Sequence, residues 1–281
     1  MKTYLYLLIA LTLISIACEE RIDWDVEKSE AKLVVEGRIT SERIRHSVKL
    51  TETSDYFSSA LPVGVTGASV SIADGSREYI LEEEENGIYR MADSVAGEVG
   101  KTYTLNINLS RKIGGESNFT ASSLLSPVMQ IDSIGLEEVE DVFFGSDDTY
   151  TALVFSGQEF PQLRNSYFVE ISHNSTMITD SVQNFVYFND ELVEDDYFEE
   201  IEIWEFNREI EIGDNISVKF LSVEENYASF LDAILSEIDG ADPLGFNGPA
   251  ANVKGNISNE AIGYFYASEV SSASMIVEEW E

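Results

Sequence analysis

Hydrophobic and polar residues alternate along most of the chain, and turn-forming residues interrupt the alternation at short intervals. Successive side chains of a strand point to opposite faces, so a two-residue period predicts β-strands with one buried face. Asp74-Gly75 and Asn86-Gly87 stand between alternating runs and predict tight hairpin turns. The first part of the pattern predicts strands at residues 32–40, 47–53, 67–72, 78–81, 88–91, 101–108 and 118–123.

A second set of strands follows Pro127, which has no amide to donate to a sheet and therefore ends the last strand of the first set. These strands are predicted at residues 131–138, 150–157, 166–173, 184–188, 201–212, 216–221 and 261–278. Short strands separated by turn residues are typical of β-sandwiches. The pattern therefore predicts a mainly β protein with two sandwich-like domains in tandem, over 32–123 and 131–281, joined by a linker at 124–130.

One segment of the second domain has helical spacing, which predicts a single amphipathic helix over 222–239. Ser222 and Glu225 match a capping box with Ser222 as the N-cap, and Gly240 ends the pattern. Apolar residues recur there at steps of three and four: Tyr227, Phe230, Leu231, Ile234, Leu235 and Ile238. We expect this stripe to pack against the second sheet; the alternative is a partner-binding face.

The N-terminal residues predict a lipoprotein signal peptide over 1–17. Lys2 is followed by an apolar run that is too short for a transmembrane helix and that ends directly before Cys18. Cys18 is the only cysteine and resembles the lipidated residue of a bacterial lipobox, although Ser15 stands where that motif usually has leucine. We expect cleavage before Cys18 and acyl chains such as palmitate on that residue; the alternative is a plain signal peptide and a free thiol.

Residues 18–31 form the predicted tether between the lipid and the first domain. The tether begins with an acidic stretch at 19–25. This stretch resembles the export signal of Bacteroidota-type lipoproteins, in which acidic residues directly after the lipidated cysteine direct the protein to the outer face of the outer membrane. This resemblance implies an outer-membrane protein that faces the cell exterior.

The charge of the chain is strongly negative, with 52 acidic and 17 basic residues and a formal net charge of −35. Nucleic acid is excluded as a partner, because binding phosphates requires an excess of lysine and arginine. The same negative charge opposes binding to anionic membrane lipids. The lipid on Cys18 must therefore anchor the chain without a contribution from basic residues. An apolar fraction of 44% indicates packed cores rather than a disordered acidic tail. We interpret the acidity as a solubility device; binding of cations or of a basic ligand is the alternative.

Two irregular segments of the second domain are candidate binding sites. The first could offer carboxylates to Ca²⁺, although it lacks the spacing of an EF-hand, through Asp190, Glu191, Glu194, Asp195 and Asp196. The alternative is a solvated, self-repelling loop without a bound ion. A tip this acidic could also dock on a basic patch of a partner. The second is the Gly- and Pro-rich segment 240–250, in which Phe246 and Asn247 are the candidate contact residues. Phe246 would alternatively pin this segment to the domain.

The sequence contains no recognisable catalytic constellation. His46 and His173 lie in different predicted domains, and neither has a partner at the spacing of a zinc site. The only cysteine is assigned to lipid, and there is no nucleophile elbow or phosphate-binding glycine loop. We therefore expect no enzymatic activity and no cofactor apart from possible calcium; a carboxylate pair for glycoside hydrolysis is the alternative.

The order of motifs in the first domain resembles that of carboxypeptidase-regulatory-like or transthyretin-like sandwiches. These motifs are Val35-Glu-Gly-Arg-Ile39, the segment 65–75, Gly87-Ile-Tyr89 and the segment 100–105. Over about residues 18–281 the chain also resembles the DUF4249 lipoproteins of Bacteroidota, through Ile131-Asp-Ser-Ile134, the late helix and the segments 252–259 and 262–265. The resemblance implies two β-rich domains on a lipid anchor, but no chemistry, because the family has no assigned function.

The same resemblance implies an accessory of a TonB-dependent outer-membrane transporter that captures a nutrient or covers the barrel. We therefore expect a surface-exposed, lipid-anchored protein that binds a ligand or a transporter without catalysis. The alternative is a calcium-stabilised structural or adhesive surface protein.

Overall fold

The structure is a computed structural model that describes residues 30–54, 61–140, 149–158, 166–189, 197–206, 210–239 and 253–278. Within these ranges the protein is mainly β, with a single α-helix, α1 (Glu225–Asp239), and a short 3-10 helix at Val182–Asn184. The strands are β1 (Leu33–Thr40), β2 (Ser47–Glu52), β3 (Val63–Gly64), β4 (Ser69–Ala73), β5 (Glu78–Glu85), β6 (Ile88–Met91), β7 (Thr102–Ile113), β8 (Glu116–Leu124), β9 (Gln130–Glu140), β10 (Thr149–Gln158), β11 (Ser166–His173), β12 (Thr176–Met177), β13 (Val186–Asn189), β14 (Tyr197–Phe206), β15 (Asn215–Val223), β16 (Ile262–Ser268) and β17 (Val270–Ile276).

The predicted strands are largely confirmed, because strict alternation marks strands with one buried face. The strands β6 and β11 have the predicted bounds. The prediction over 201–212 was wrong at both ends, since β14 runs from Tyr197 to Phe206. The two-residue strands β3 and β12 were not predicted, because two residues are too few to show a period.

The first domain is a curved sheet whose end strands lie side by side. Its strand order is β16-β1-β2-β6-β5-β4-β7-β8, and β3 is added to β2. The backbone amide of Ala267 in β16 donates a 3.0 Å hydrogen bond to the hydroxyl of Ser123 in β8. Alternate residues of β7, among them Tyr103, Leu105 and Ile107, are buried in the core that the sheet encloses.

The last strand of this first sheet comes from the C-terminal part of the chain. Strand β16 runs parallel to β1, with Val34 opposite Ile262 and Thr40 opposite Ser268. The structure therefore differs from the expected division, in which the whole range 131–281 formed the second domain. The predicted strand 261–278 is in fact two strands, β16 in the first sheet and β17 in another, separated by Glu269.

The second domain consists of two facing sheets. One has the order β14-β10-β9, and the other has the order β12-β11-β15-β17 with β13 also paired to β11. Aromatic side chains from both sheets fill the space between them, for example Phe155 and Phe220, whose ring centroids lie 4.7 Å apart in an edge-on arrangement. This sandwich-like arrangement agrees with the predicted fold class.

Helix α1 covers the outside of the second domain where it meets β16. Tyr227 and Leu231 are buried in a cluster with Phe168, Leu221 and Tyr264, so the predicted packing of the apolar stripe is confirmed for its first half. Towards the end of the helix the stripe loses its cover, and Ile238 is 38% exposed.

The predicted capping box is wrong. Ser222 lies within β15, where its hydroxyl donates a 2.6 Å hydrogen bond to the carbonyl of Ser126 and accepts one from the amide of Glu269. Helix α1 begins three residues later, after Glu224, whose carboxylate accepts hydrogen bonds from Ser123 and Leu124 of β8. A capping box requires the serine to leave the extended strand, and strand pairing up to Val223 prevents this.

The strand register separates two ends of the first domain. The tether end, as we call it, contains the start of β1 at Leu33 and, beside it, Glu52, Val63 and Ile262. The second domain attaches at the opposite end, where Lys219 bonds Glu42 at 2.7 Å. The protein therefore places the first domain between the entering N-terminal chain and the second domain.

The buried residue His46 gives a testable pH dependence. It is 2% exposed, and its Nε2 lies 2.9 Å from the carbonyl oxygen of Val95. Burial lowers the pKa of His46, and the Val95 carbonyl only partly offsets this effect. Below the unfolded-state pKa of about 6.5, the unfolded chain binds a proton that the folded chain does not. The free energy of unfolding therefore decreases as the pH is lowered.

We expect the free energy of unfolding in urea to decrease between pH 7 and pH 5, and to decrease less in His46→Gln, whose amide can still donate to Val95. Carboxylates contribute equally to both proteins, so the difference between the two pH profiles isolates the histidine. Parallel pH profiles would contradict the role of His46.

Candidate functional site

The binding residues predicted from the sequence lie outside the described residues. This holds for the candidate lipid attachment site Cys18, for the candidate contact residues Phe246 and Asn247, and for the candidate calcium ligands Asp190, Glu191, Glu194, Asp195 and Asp196. These predictions therefore stay predictions. The described segment 253–261, which comes after residues 240–250 in the chain, leads to the tether end of the first domain.

The segment 253–261 is fixed along the outer edge of β8. The amide of Ser258 donates to the carbonyl of Thr120 at 2.9 Å, and the amide of Thr120 donates to the hydroxyl of Ser258 at 2.9 Å. The side chain of Asn256 bonds both the amide and the carbonyl of Phe265 in β16, at 3.0 and 2.7 Å. The segment thus covers a strand edge that would otherwise be open to pairing with another chain.

Asn259 and Glu260 both have positive φ angles, of 57° and 56°, which reverse the chain into β16. Asparagine tolerates this left-handed conformation better than most residues, because its short amide can bond locally. Here its Nδ2 donates to the carbonyl of Asn118 at 2.7 Å. This turn presents the Glu260 carboxylate to Lys32 at the start of the first domain.

Two shallow grooves flank the ion pair between Lys32 and Glu260, whose Nζ and Oε2 atoms are 3.2 Å apart. Their volumes are about 400 and 520 Å³, and both are lined by Lys32, Asn259, Glu260 and Ala261. The Glu260 side chain is 86% exposed, so the pair contributes little to stability. The carboxylate and the ammonium group are instead accessible to a ligand.

The chemistry of these grooves suits noncovalent binding. Among the described residues that line them there is no histidine and no cysteine. An amine, carboxylates and amides next to Leu33 and Ile257 can hold a polar ligand with a small apolar part.

His173 forms the other polar arrangement of interest, at the far end of the second domain. Its Nε2 lies 2.7 Å from Oδ2 of Asp214, and Asn174 donates to Oδ1 of the same carboxylate at 2.7 Å. Hydrogen bonds from Asn174, from the amide of Glu211 and from His173 lower the pKa of Asp214 to about 2. These bonds fix a turn in which Asn174 has a φ of 49°, so we interpret the pair as structural.

A buried polar network joins the two domains. The Arg38 guanidinium in β1 donates to the Glu170 carboxylate in β11 and, at 3.2 Å, to the hydroxyl of Tyr266 in β16. Burial alone would lower the pKa of Arg38, but its interactions with Tyr266 and with the Glu170 carboxylate outweigh this effect, so the pKa is raised. Burial and then the neighbouring Tyr266 phenol raise the pKa of Tyr227, whose ring centroid lies 4.5 Å from that of Tyr266.

This network was missed by sequence reasoning, because Arg38 lies 132 positions from Glu170 and 228 positions from Tyr266. No local pattern reports pairs at such separations. Glu170 has only 8% of its side chain exposed and bonds a residue of the other domain, so we interpret the network as a connection between the domains.

Within the described ranges, no three His, Cys, Asp or Glu side chains are grouped so that they could hold a metal ion. No helix in the same ranges has the length and apolarity needed to cross a membrane.

Comparison with known proteins identifies one family. The family model "Domain of unknown function (DUF4249)" matches residues 19–274. The match covers both domains, including the β16 strand that connects them. No curated protein matches the chain.

Proposed function

The chain belongs to the DUF4249 family, and from this premise we propose that it is a lipid-anchored, surface-exposed outer-membrane protein that acts without catalysis as an accessory of a TonB-dependent transporter. The observation that carries the proposal is the position of Cys18. This single cysteine stands directly after an apolar run with a small residue before the cut, and an acidic stretch follows it.

The proposal is supported by the position of the two grooves, which lie at the start of the described chain. Eleven residues lie between Cys18 and Glu30, the first described residue, and Glu30 lines one of the two grooves. A chain of that length reaches at most about 40 Å when fully extended. The grooves and the segment 253–261 therefore stay within reach of a partner that is embedded in the same membrane.

The anchor can be tested by replacing its cysteine. In the native host we expect the wild-type protein to carry label from an alkyne-tagged fatty acid and to remain with outer membranes. Cys18→Ser should lose the label completely, because a serine hydroxyl cannot accept thioether-linked lipid. The variant Ser15→Leu serves as the matched control, since it restores the usual lipobox residue and should keep the label. Equal labelling of wild type and Cys18→Ser would contradict the anchor.

The transporter partnership is tested by extracting the wild-type protein in mild detergent and identifying what purifies with it. A stoichiometric outer-membrane barrel is the expected result, and its identity would narrow the class of ligand. Cys18→Ser is again informative, because an unanchored protein should recover less of the same barrel. Recovery of the labelled lipoprotein with no barrel would refute the accessory role while leaving the anchor in place.

A further inference from the structure

Two strongly exposed apolar side chains lie at the tether end of the first domain. Leu61 is 87% exposed and Val63 is 61% exposed, and Leu61 is the most exposed large apolar side chain in the described part of the chain. Val63 pairs with Glu52, which pairs on its other side with Leu33. These side chains therefore lie beside the point where the chain from Cys18 enters the fold.

The tip of the β7–β8 hairpin brings basic residues to the same end. A Cβ on Gly114 at this tip would lie 3.4 Å from the carbonyl oxygen of Ala31, so the hairpin touches the entering chain. Arg111 and Lys112 precede the tip, and the Arg111 guanidinium bonds the Glu52 carboxylate at 2.7 Å. The range 99–131 contains a single acidic residue in a chain that has 52.

The acidic charge is concentrated in the other half of the molecule. Residues 32–123 contain 13 acidic and ten basic residues, whereas residues 131–281 contain 33 acidic and four basic residues. The described strands of residues 131–281 lie beyond the junction, at the end opposite to the tether. The exception is β16, which belongs to the first sheet and follows the segment 253–261. An anionic membrane surface therefore repels the second domain far more than the tether end.

We propose that the tether end of the first domain lies on the bilayer surface, with Leu61 and Val63 in the boundary between headgroups and acyl chains and the acidic second domain pointing away. This inference rests on the lipid anchor of the proposed function. The tether holds the domain within about 40 Å of the membrane without fixing its orientation. Burial of the two apolar side chains and repulsion of the acidic second domain both favour the same orientation.

The orientation can be measured with single-cysteine labels. The anchored protein has no free thiol when Cys18 is acylated, so an introduced cysteine reacts alone. We would prepare the lipidated full chain as Leu61→Cys or Val63→Cys, attach a small fluorophore, and place the protein in vesicles of phosphatidylcholine and anionic phosphatidylglycerol that contain a lipid-borne quencher. Quenching at these positions should be several-fold stronger than at the control positions Ile212→Cys and Ile276→Cys.

The controls are matched in exposure and differ in position. Ile212 and Ile276 are 69% and 63% exposed, and Ile276 pairs with Asn215 at the end of β15 that lies away from the junction. Because all four side chains are exposed, none of the substitutions should alter folding, and unchanged thermal unfolding would verify this.

Flotation of the vesicles separates the two hypotheses. A protein that does not float, or a parent protein whose Cys18 reacts with the fluorophore, refutes the lipid anchor and with it the orientation. A protein that floats but shows equal quenching at both ends, or no quenching at 61 and 63, retains the anchor and refutes the orientation. In the last case a protein partner rather than lipid would cover the exposed side chains.

Discussion

Replacing Gly263 by alanine should detach the C-terminal strand from the first sheet and lower the free energy of unfolding by about 3 kcal/mol or more. Gly263 has a φ of 97°, and a Cβ there would lie 2.0 Å from the carbonyl oxygen of Val35. The backbone around that oxygen cannot shift away, because β1 is paired with β16 on one side and with β2 on the other. The alanine must therefore break the parallel pairing of β16 with β1.

Gly75→Ala is the matched control for this prediction. Gly75 has a similar φ of 83° in the β4–β5 turn, but no atom lies within 4 Å of the added Cβ. Its cost should be limited to the left-handed conformation, about 1 kcal/mol. Urea unfolding gives the free-energy changes, and hydrogen exchange of the β16 amides reports the detachment directly. Equal effects of the two substitutions would show that the Val35 contact does not matter.

Much of the fold could be predicted because its information is local. A two-residue alternation identifies a strand whether or not its partner is known, and Asp74-Gly75 and Asn86-Gly87 identify the hairpins that link neighbouring strands. Strand β16 shows where this reasoning ends. Six of its seven residues are buried, because one face meets the first core and the other meets α1. A strand that is buried on both faces has no alternation to show which sheet it joins.

The candidate site could be predicted even less, for two different reasons. The grooves beside Lys32 depend on Glu260, which is 228 positions away in the sequence. They also depend on the turn at Asn259, whose positive φ angle cannot be predicted from the local sequence. By contrast, Ser222 carries a strong local signal for a helix cap, but the pairing of β15 takes precedence over it. Local preference is decisive only where no tertiary hydrogen bond competes for the same group.

The linker and the C-terminal segment together explain why the two domains are closely joined. Val128 and Met129 of the predicted linker are fully buried in the second core, and the amide of Val128 donates to the Glu269 carboxylate at 2.8 Å. Because Glu269 is the only residue between β16 and β17, the two sheets cannot separate without breaking strand pairing. The ion pair between Arg38 and Glu170 is a further connection at the same junction.

Arg38→Met should destabilise the protein by about 3 kcal/mol, because it leaves the Glu170 carboxylate unpaired where only 8% of that side chain is exposed. Glu170→Gln should cost less, about 1 kcal/mol, because glutamine keeps an acceptor oxygen for the guanidinium. The Arg38 side chain is also 35% exposed, so water can solvate the charge that this second variant leaves behind. The two variants should therefore differ in urea unfolding although they break the same pair.

The double variant Arg38→Met with Glu170→Met tests whether the ion pair adds net stability to the junction. The alternative is that each charge only compensates the cost of burying the other. Apolar residues of similar volume often replace a buried ion pair with little loss, because they avoid the cost of removing two charges from water. We expect the double variant to recover most of the stability that Arg38→Met loses. If instead its loss equals the sum of the losses of Arg38→Met and Glu170→Met measured singly, the two side chains act independently, and the domains are held at this point by Tyr266 and its packing against Tyr227 rather than by the ion pair.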